Sequence, residues 1–195
     1  KVTTDFAGSR YDHATAVAVQ SNGKIVVVGN TSNGSHDDFA ILRYNSDGSL
    51  DSSFDGDGKV STDFAGAGDY ATSVTLLSDG KILVAGNTYV GVNSNFALAR
   101  YNSDGSLDQT FGQGGKLTTD FGGIDDGAVK VAVQSDGSII AAGNTNKGGD
   151  SKFALARYNA DGSLETVIHR PEGTAISLSL ANAYSDVGES DTVAT

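Results

Sequence analysis

The sequence repeats itself, and no other feature constrains its fold as strongly. Phe39-Ala40-Ile41-Leu42-Arg43-Tyr44-Asn45 returns as Phe96-Ala97-Leu98-Ala99-Arg100-Tyr101-Asn102 and again as Phe153-Ala154-Leu155-Ala156-Arg157-Tyr158-Asn159. Asn22-Gly23-Lys24-Ile25 recurs as Asp79-Gly80-Lys81-Ile82 and Asp136-Gly137-Ser138-Ile139, so positions 22, 79 and 136 share the spacing of 57 seen for 39, 96 and 153. Lys1-Val2-Thr3-Thr4-Asp5-Phe6 returns at Lys59 to Phe64 and Lys116 to Phe121, offset by 58 and then 57, which places one extra residue in a loop of the first unit. All eight Phe lie at recurring positions: 6, 64 and 121; 39, 96 and 153; 54 and 111. The chain divides into three tandem repeats of 57–58 residues, about 1–58, 59–115 and 116–165, and a non-repeat tail, 166–195. Self-similarity at such a period marks an architecture of stacked units.

Within a unit the period of side chains is two. Asn-Gly or Asp-Gly between β-rich runs is a strong hairpin signal, because the turn needs positive φ. The run from Ala14 to Gln20 is therefore expected to pair antiparallel with Lys24 to Asn30 across Ser21-Asn22-Gly23. Phe39 to Asn45 ends at the turn Ser46-Asp47-Gly48-Ser49, and the Lys-Val-Thr-Thr-Asp-Phe block adds a Thr-rich strand. Each unit thus offers about four short antiparallel strands, and no window reads as an amphipathic helix. Ile25-Val26-Val27-Val28, Ile82-Leu83-Val84-Ala85 and Ile139-Ile140-Ala141-Ala142 have no polar face. A strand with one wet side would alternate. Sheets covered on both sides by their neighbours are what the blades of a propeller provide. The expected fold is all-β: tandem four-stranded antiparallel units stacked as β-propeller-like blades. Three units fall short of the about four to eight blades of a closed ring, so this chain alone does not close one.

Arg43, Arg100 and Arg157 sit at the end of an apolar strand, where a buried guanidinium needs an acceptor. The recurring Asp5, Asp63 and Asp120 are the expected partners in structural ion pairs, linking neighbouring units.

The string from Phe96 to Asp108, with a following Phe-Gly-x-Gly-Gly-Lys and Thr-Asp-Phe-Gly-Gly, resembles the delta-60 repeat family. The resemblance covers residues 1 to about 165. It implies propeller-like blades, an origin in large bacterial secreted or surface proteins, and no reaction. Lys1 aligns with Lys59 and Lys116, which follow Gly-rich turns, so the chain starts in mid-pattern. That fits a piece of a longer, processed protein, or a protomer whose ring other copies complete.

After Glu165 the pattern stops, and the single Pro, Pro171, lies at the break. Ala175 to Ala181 alternates as an amphipathic strand. Capping a blade within the chain is the favoured role for it, ahead of opening a next domain or pairing with another chain's edge.

Composition narrows the chemistry. With 13 Lys+Arg against 24 Asp+Glu the formal charge is −11, which disfavours nucleic acid. Without Cys, disulfides and thiolate zinc sites are impossible. No apolar run reaches the length of a membrane span, and membrane insertion is not expected. An excess of carboxylates suits an exported, soluble protein. His13, His36 and His169 do not recur in register and form no metal spacing. Gly66-Ala67-Gly68-Asp69-Tyr70-Ala71 matches a dinucleotide fingerprint only in outline, since it lacks the strand–turn–helix context.

Calcium is the one cofactor with a case: Asn45, Asp47 and Asp51 place oxygen ligands around a Gly turn, and Asn102, Asp104 and Asp108 repeat them. An EF-type loop would carry Glu at its twelfth position, where Gly56 and Gln113 stand. Asp-Gly turns account for the same residues without a metal.

Three functions follow. The first is a non-catalytic structural or adhesive module of an exported bacterial surface protein, assembling with neighbouring repeats of a longer chain or with other copies of itself as a homo-oligomer or filament. The second is a carbohydrate- or peptide-binding propeller module, reading a cell-surface glycan through Asn30-Thr31, Asn87-Thr88, Asn144-Thr145 and the loops 33–38 and 89–95. A propeller lyase or hydrolase comes last, because no catalytic constellation is present in the sequence.

Overall fold

A computed structural model describes residues 1–6, 11–64, 66–165, 167–169 and 175–177. Thirteen strands and no helix occur among them. The first sheet comprises β1 (Asp12–Val19), β2 (Ile25–Ser32), β3 (Asp37–Tyr44) and β4 (Lys59–Thr62) in that order. The second repeats it with β5 (Asp69–Leu76), β6 (Ile82–Val90), β7 (Asn93–Tyr101) and β8 (Lys116–Thr119). The third has β9 (Asp126–Val133), β10 (Ile139–Thr145) and β11 (Lys152–Tyr158). Every neighbouring pair within these sheets is antiparallel. The expected first hairpin forms with Val19 opposite Ile25 and Gly23 at φ 82° in its turn.

The fourth strand of each sheet comes from the next repeat. Lys59–Thr62 pairs with β3 of the first sheet, and Lys116–Thr119 with β7 of the second. A sheet therefore straddles two sequence repeats, each interlocked with the one that follows. Two expectations change as a result. The third sheet has three strands among the described residues, because no Lys-Val-Thr-Thr block follows it. Lys1 to Phe6, the counterpart of these fourth strands, is not in a strand.

Two short segments of the tail, 167–169 and 175–177, are described. Ala175–Ser177 (β13) pairs antiparallel with Val167–His169 (β12) in a separate two-stranded sheet, and among the described residues β11 pairs with β10 alone. The remainder of the tail, including positions 178–181, lies outside the described residues.

Two apolar seams hold the sheets together. Between the first and second, Val26, Val28, Phe39, Ile41 and Phe54 pack on Ile82, Val84, Ala97 and Tyr101. Between the second and third, Leu83, Phe96, Leu98 and Phe111 pack on Val131, Ile139 and Tyr158. Each fully buried large side chain contributes roughly 1.5–3 kcal/mol. Ile82, Leu83, Val84 and Ala85 are all completely buried, since the middle sheet has a neighbour on both sides. In the outer sheets the alternate residues, Val27, Ile140 and Ala142, remain half-covered.

Each sheet carries the same bulge. The register of β1 on β2 shifts around Thr15, of β5 on β6 around Thr72, and of β9 on β10 around Val129. The bulged backbone crowds the facing strand, where a Cβ on Gly29, Gly86 or Gly143 would lie 1.8, 1.9 and 2.0 Å from a carbonyl oxygen. Only glycine tolerates that approach. The bulge also aims a hydroxyl across the seam: Thr15 Oγ1 donates to the Ala71 carbonyl and Thr72 Oγ1 to the Ala128 carbonyl, both at 2.7 Å.

Candidate functional site

The three recurring arginines are the most concentrated cationic chemistry of the repeats, and the two complete seams enclose Arg43 and Arg100. Arg43 Nε donates to Asp51 Oδ2 at 2.6 Å and Nη2 to Ser53 Oγ at 3.1 Å, while Nη1 crosses to the Ser103 carbonyl of the second sheet. Its guanidinium lies 4.5 Å from the centroid of the Phe54 ring. Arg100 repeats the arrangement with Asp108 at 2.7 Å, Thr110 at 3.3 Å, the Ala160 carbonyl of the third sheet and the Phe111 ring at 4.6 Å. Arg157 pairs with Glu165 at 2.6 Å and reaches Asp136 at 3.3 Å.

The acceptors are thus Asp51, Asp108 and Glu165, which replace the expected Asp5, Asp63 and Asp120. The turn after the arginine strand folds straight back on it, so an acid eight residues on arrives first. Asp63 Oδ1 instead accepts from the Gly66 amide at 2.6 Å and Asp120 Oδ1 from the Gly122 amide at 2.5 Å, each organising its own loop. The Asp5 carbonyl accepts from Lys59 Nζ at 3.2 Å. A second cation escaped the sequence reading: Lys24 Nζ lies 2.6 Å from Asp51 and Lys81 Nζ 2.9 Å from Asp108. Its signal was present in the recurring Asn/Asp-Gly-Lys. Burial opposes ionisation of Asp51, yet Lys24, Ser53 and Arg43 together hold its carboxyl well below the usual carboxylate range. Asp108 is held down against burial in the same way by Thr110, Lys81 and Arg100.

The residues that suggested calcium divide between two tasks. Asp47 Oδ1 accepts from the Ser49 amide at 2.9 Å and its hydroxyl at 2.6 Å, while Asn45 Nδ2 donates to Ser49 Oγ at 3.0 Å. Asp104, Ser106 and Asn102 do the same. These bonds build the Asp-Gly turn, with Gly48 at φ 89° and Gly105 at φ 96°. Asp51 and Asp108 turn away from it to face the seam cations. In each of the two sets, Asn45, Asp47 and Asp51 and then Asn102, Asp104 and Asp108, the side chains thus serve both a turn and an ion pair.

One group of three carboxylates does converge among the described residues. Asp38, Asp63 and Asp69 each place an oxygen within 4.8 Å of the others. Asp69 is fully buried, and its Oδ2 accepts from the Phe64 amide at 2.7 Å. Burial pushes its carboxyl up, and repulsion from Asp63 and Asp38 adds to this. Asp12, Asp69 and Asp126 recur at one position and hold the amides of Phe6, Phe64 and Phe121. Asp38 also meets His36 Nδ1 at 3.1 Å. His13 stands in β1, and the His169 side chain lies outside the described residues.

The Asn-Thr pairs split as well. Thr31 Oγ1 donates to Asp12 at 2.6 Å and Asn30 Nδ2 to Asp37 at 3.0 Å. Asn87 and Asn144 line a cleft of about 350 Å³ between the second and third sheets, with Tyr89, Ser94, Asp125 and Asn146. Tyr89 stacks edge-on against Tyr70 at 6.2 Å between ring centroids. The cleft combines amide donors and acceptors with an aromatic edge, and its size is at the lower end for small-molecule sites.

A family model described as "Domain of unknown function (DUF5122) beta-propeller" matches residues 20–54, 77–111 and 134–166, together more than half of the chain. Each match begins just ahead of the turn that leads into the strand opening with Ile25, Ile82 or Ile139, and runs through the arginine strand into the loop of its acidic partner. No curated protein matches the chain.

Proposed function

Because the chain belongs to the β-propeller family described as a domain of unknown function (DUF5122), we propose that it is a non-catalytic structural repeat module. One observation carries this reading. In both complete seams the recurring charged side chains are spent on joining one blade to the next, with Arg43 and Arg100 each bonded on both sides. Groups held at short distance by buried partners make rigid joints, whereas catalysis needs an acid, base or nucleophile facing a substrate. The string from Phe96 to Asp108 supports the finer assignment to delta-60 repeats. With it comes the proposal that the module is exported and serves the architecture or attachment of a bacterial surface protein.

The Asn- and Tyr-lined cleft favours a second reading, recognition of a carbohydrate or peptide. A glycan panel probed with the purified chain separates the two. The structural reading expects no saturable binding. Saturable binding that Asn144→Ala abolishes, with the thermal transition unchanged, would establish the second reading in its place.

A further inference from the structure

We infer that a second copy of this chain docks head to tail on the open face of the third sheet, and that its Lys1 to Thr4 completes that sheet as a fourth strand. The inference deepens the structural reading by naming a partner. It starts from an open sheet edge and an unpaired segment among the described residues.

At one end β11 has no outer strand neighbour among the described residues. Phe153 and Leu155 are 100% and 59% exposed, while their counterparts Phe39, Ile41, Phe96 and Leu98 are fully buried. In the completed sheets those counterparts lie opposite the fourth strand, with Phe39 across from Thr62, Phe96 from Thr119 and Leu98 from Leu117.

At the other end, Lys1 to Phe6 already makes the contacts that a fourth strand makes with the blade behind it. Tyr44 donates its hydroxyl to Thr4 Oγ1 at 2.7 Å, as Tyr101 does to Thr62 at 2.7 Å; Tyr158 and Thr119 lie 2.8 Å apart. The Phe6 amide donates to Asp12 at 3.0 Å, matching Phe64 to Asp69 and Phe121 to Asp126 at 2.7 Å. Lys59 Nζ reaches the Asp5 carbonyl, as Lys116 Nζ reaches that of Asp63. The segment is thus seated on the first sheet in the place of a preceding sheet's last strand, and it pairs with no strand. Val2 is 58% exposed.

These ends are the two halves of a contact that the chain makes twice within itself. Carried onto the third sheet, the established register sets Phe153 opposite Thr4 of the second copy and Leu155 opposite its Val2. Phe6 of the second copy would lie on Phe153, as Phe64 lies on Phe39 at 4.9 Å and Phe121 on Phe96 at 4.8 Å. Arg157 would face the turn that begins at Ser46 of the second copy, as Arg43 faces the turn at Ser103. One bond of the internal seams has no equivalent, since Val129 stands where Thr15 and Thr72 donate. Among the described residues the tail strands β12 and β13 pair with each other and not with β11. Main-chain pairing at a bare edge supplies affinity, and a head-to-tail contact closes into a ring or continues as a filament according to its rotation.

Mass in solution, measured by sedimentation and light scattering, tests the inference on the 195-residue chain. Assembly beyond 19.9 kDa is expected. Phe153→Asp should return it to the monomer with an unchanged circular dichroism spectrum, since that side chain is fully exposed. Because the chain lacks Cys, Val2→Cys and Leu155→Cys variants can be mixed under oxidation, and a mixed disulfide is expected as the dominant product. A monomer at all concentrations would overturn the inference, as would an assembly indifferent to Phe153→Asp. So would a Leu155→Cys monomer that resists thiol labelling, which would assign the face to the chain's own tail. None of these results bears on glycan binding, so the failure of this inference and of the structural reading are separable.

Discussion

Arg43 donates to the carbonyl of Ser103, sixty positions along the chain, while holding Asp51 only eight positions away. One guanidinium thus ties a local turn to a distant one. Its planar fork suits the task, because separate N–H groups can serve a carboxylate, a hydroxyl and a carbonyl at once. Phe54 backs the group, and the Arg43 side chain is buried. The same staple recurs at Arg100, and at Arg157 it has only its local half.

Arg100→Met should destabilise the fold by about 3–5 kcal/mol, the usual cost of leaving a buried ion-pair partner behind. Arg157→Met, whose partners Glu165 and Asp136 are 18% and 58% exposed, should cost less, about 1–2 kcal/mol. Denaturant unfolding of the two variants, each made in the dissociated chain, measures the difference.

Gly86→Ala should cost about 3 kcal/mol, since its Cβ would lie 1.9 Å from the Tyr70 carbonyl across the bulge. Gly34 has open space around it at φ +95°, so Gly34→Ala pays only for the backbone conformation, about 1–2 kcal/mol. Thermal unfolding should rank them in that order.

Phe111→Ala should cost about 3–5 kcal/mol through the cavity it opens in the second seam. Phe153→Ala, at the equivalent face of the last sheet and strand, should move monomer stability by less than about 0.5 kcal/mol. A large effect on the monomer from Phe153→Ala would show that residues of the same chain cover that face.

Acid should act in two opposed ways. Asp51 and Asp108 have folded values below the ordinary 3.8, so the stability they contribute is full above it and is lost as pH falls below it. Asp69 has a folded value above 3.8, so its ionisation disfavours the fold, and protonation on the way down toward 3.8 returns stability. Asp69→Asn should flatten the rise on the mildly acidic side, and Asp108→Asn should weaken the fall below pH 3.8. Urea midpoints followed from neutral pH to strong acid would register both.

The repeat, the turns and the all-β class were legible because they depend on neighbours in sequence. Asp-Gly turns announce themselves through positive φ, and Ile82 to Ala85 announces two covered faces by lacking a polar one. The recurrence of Arg43, Arg100 and Arg157 marked them as structural, but their acceptors were not legible. Asp5 and Asp51 are equally good anions on paper, and only the path of the loop after Tyr44 decides which one arrives. The sheet boundaries were hidden for a related reason. A repeat fixes a period without fixing its phase, and tertiary pairing alone assigns Lys59–Thr62 to the sheet before it. Sequence by itself determined what recurs and which faces must be dry. The tertiary structure decided which copies of each element meet, because hydrogen bonding across a seam depends on distances that chain order does not encode.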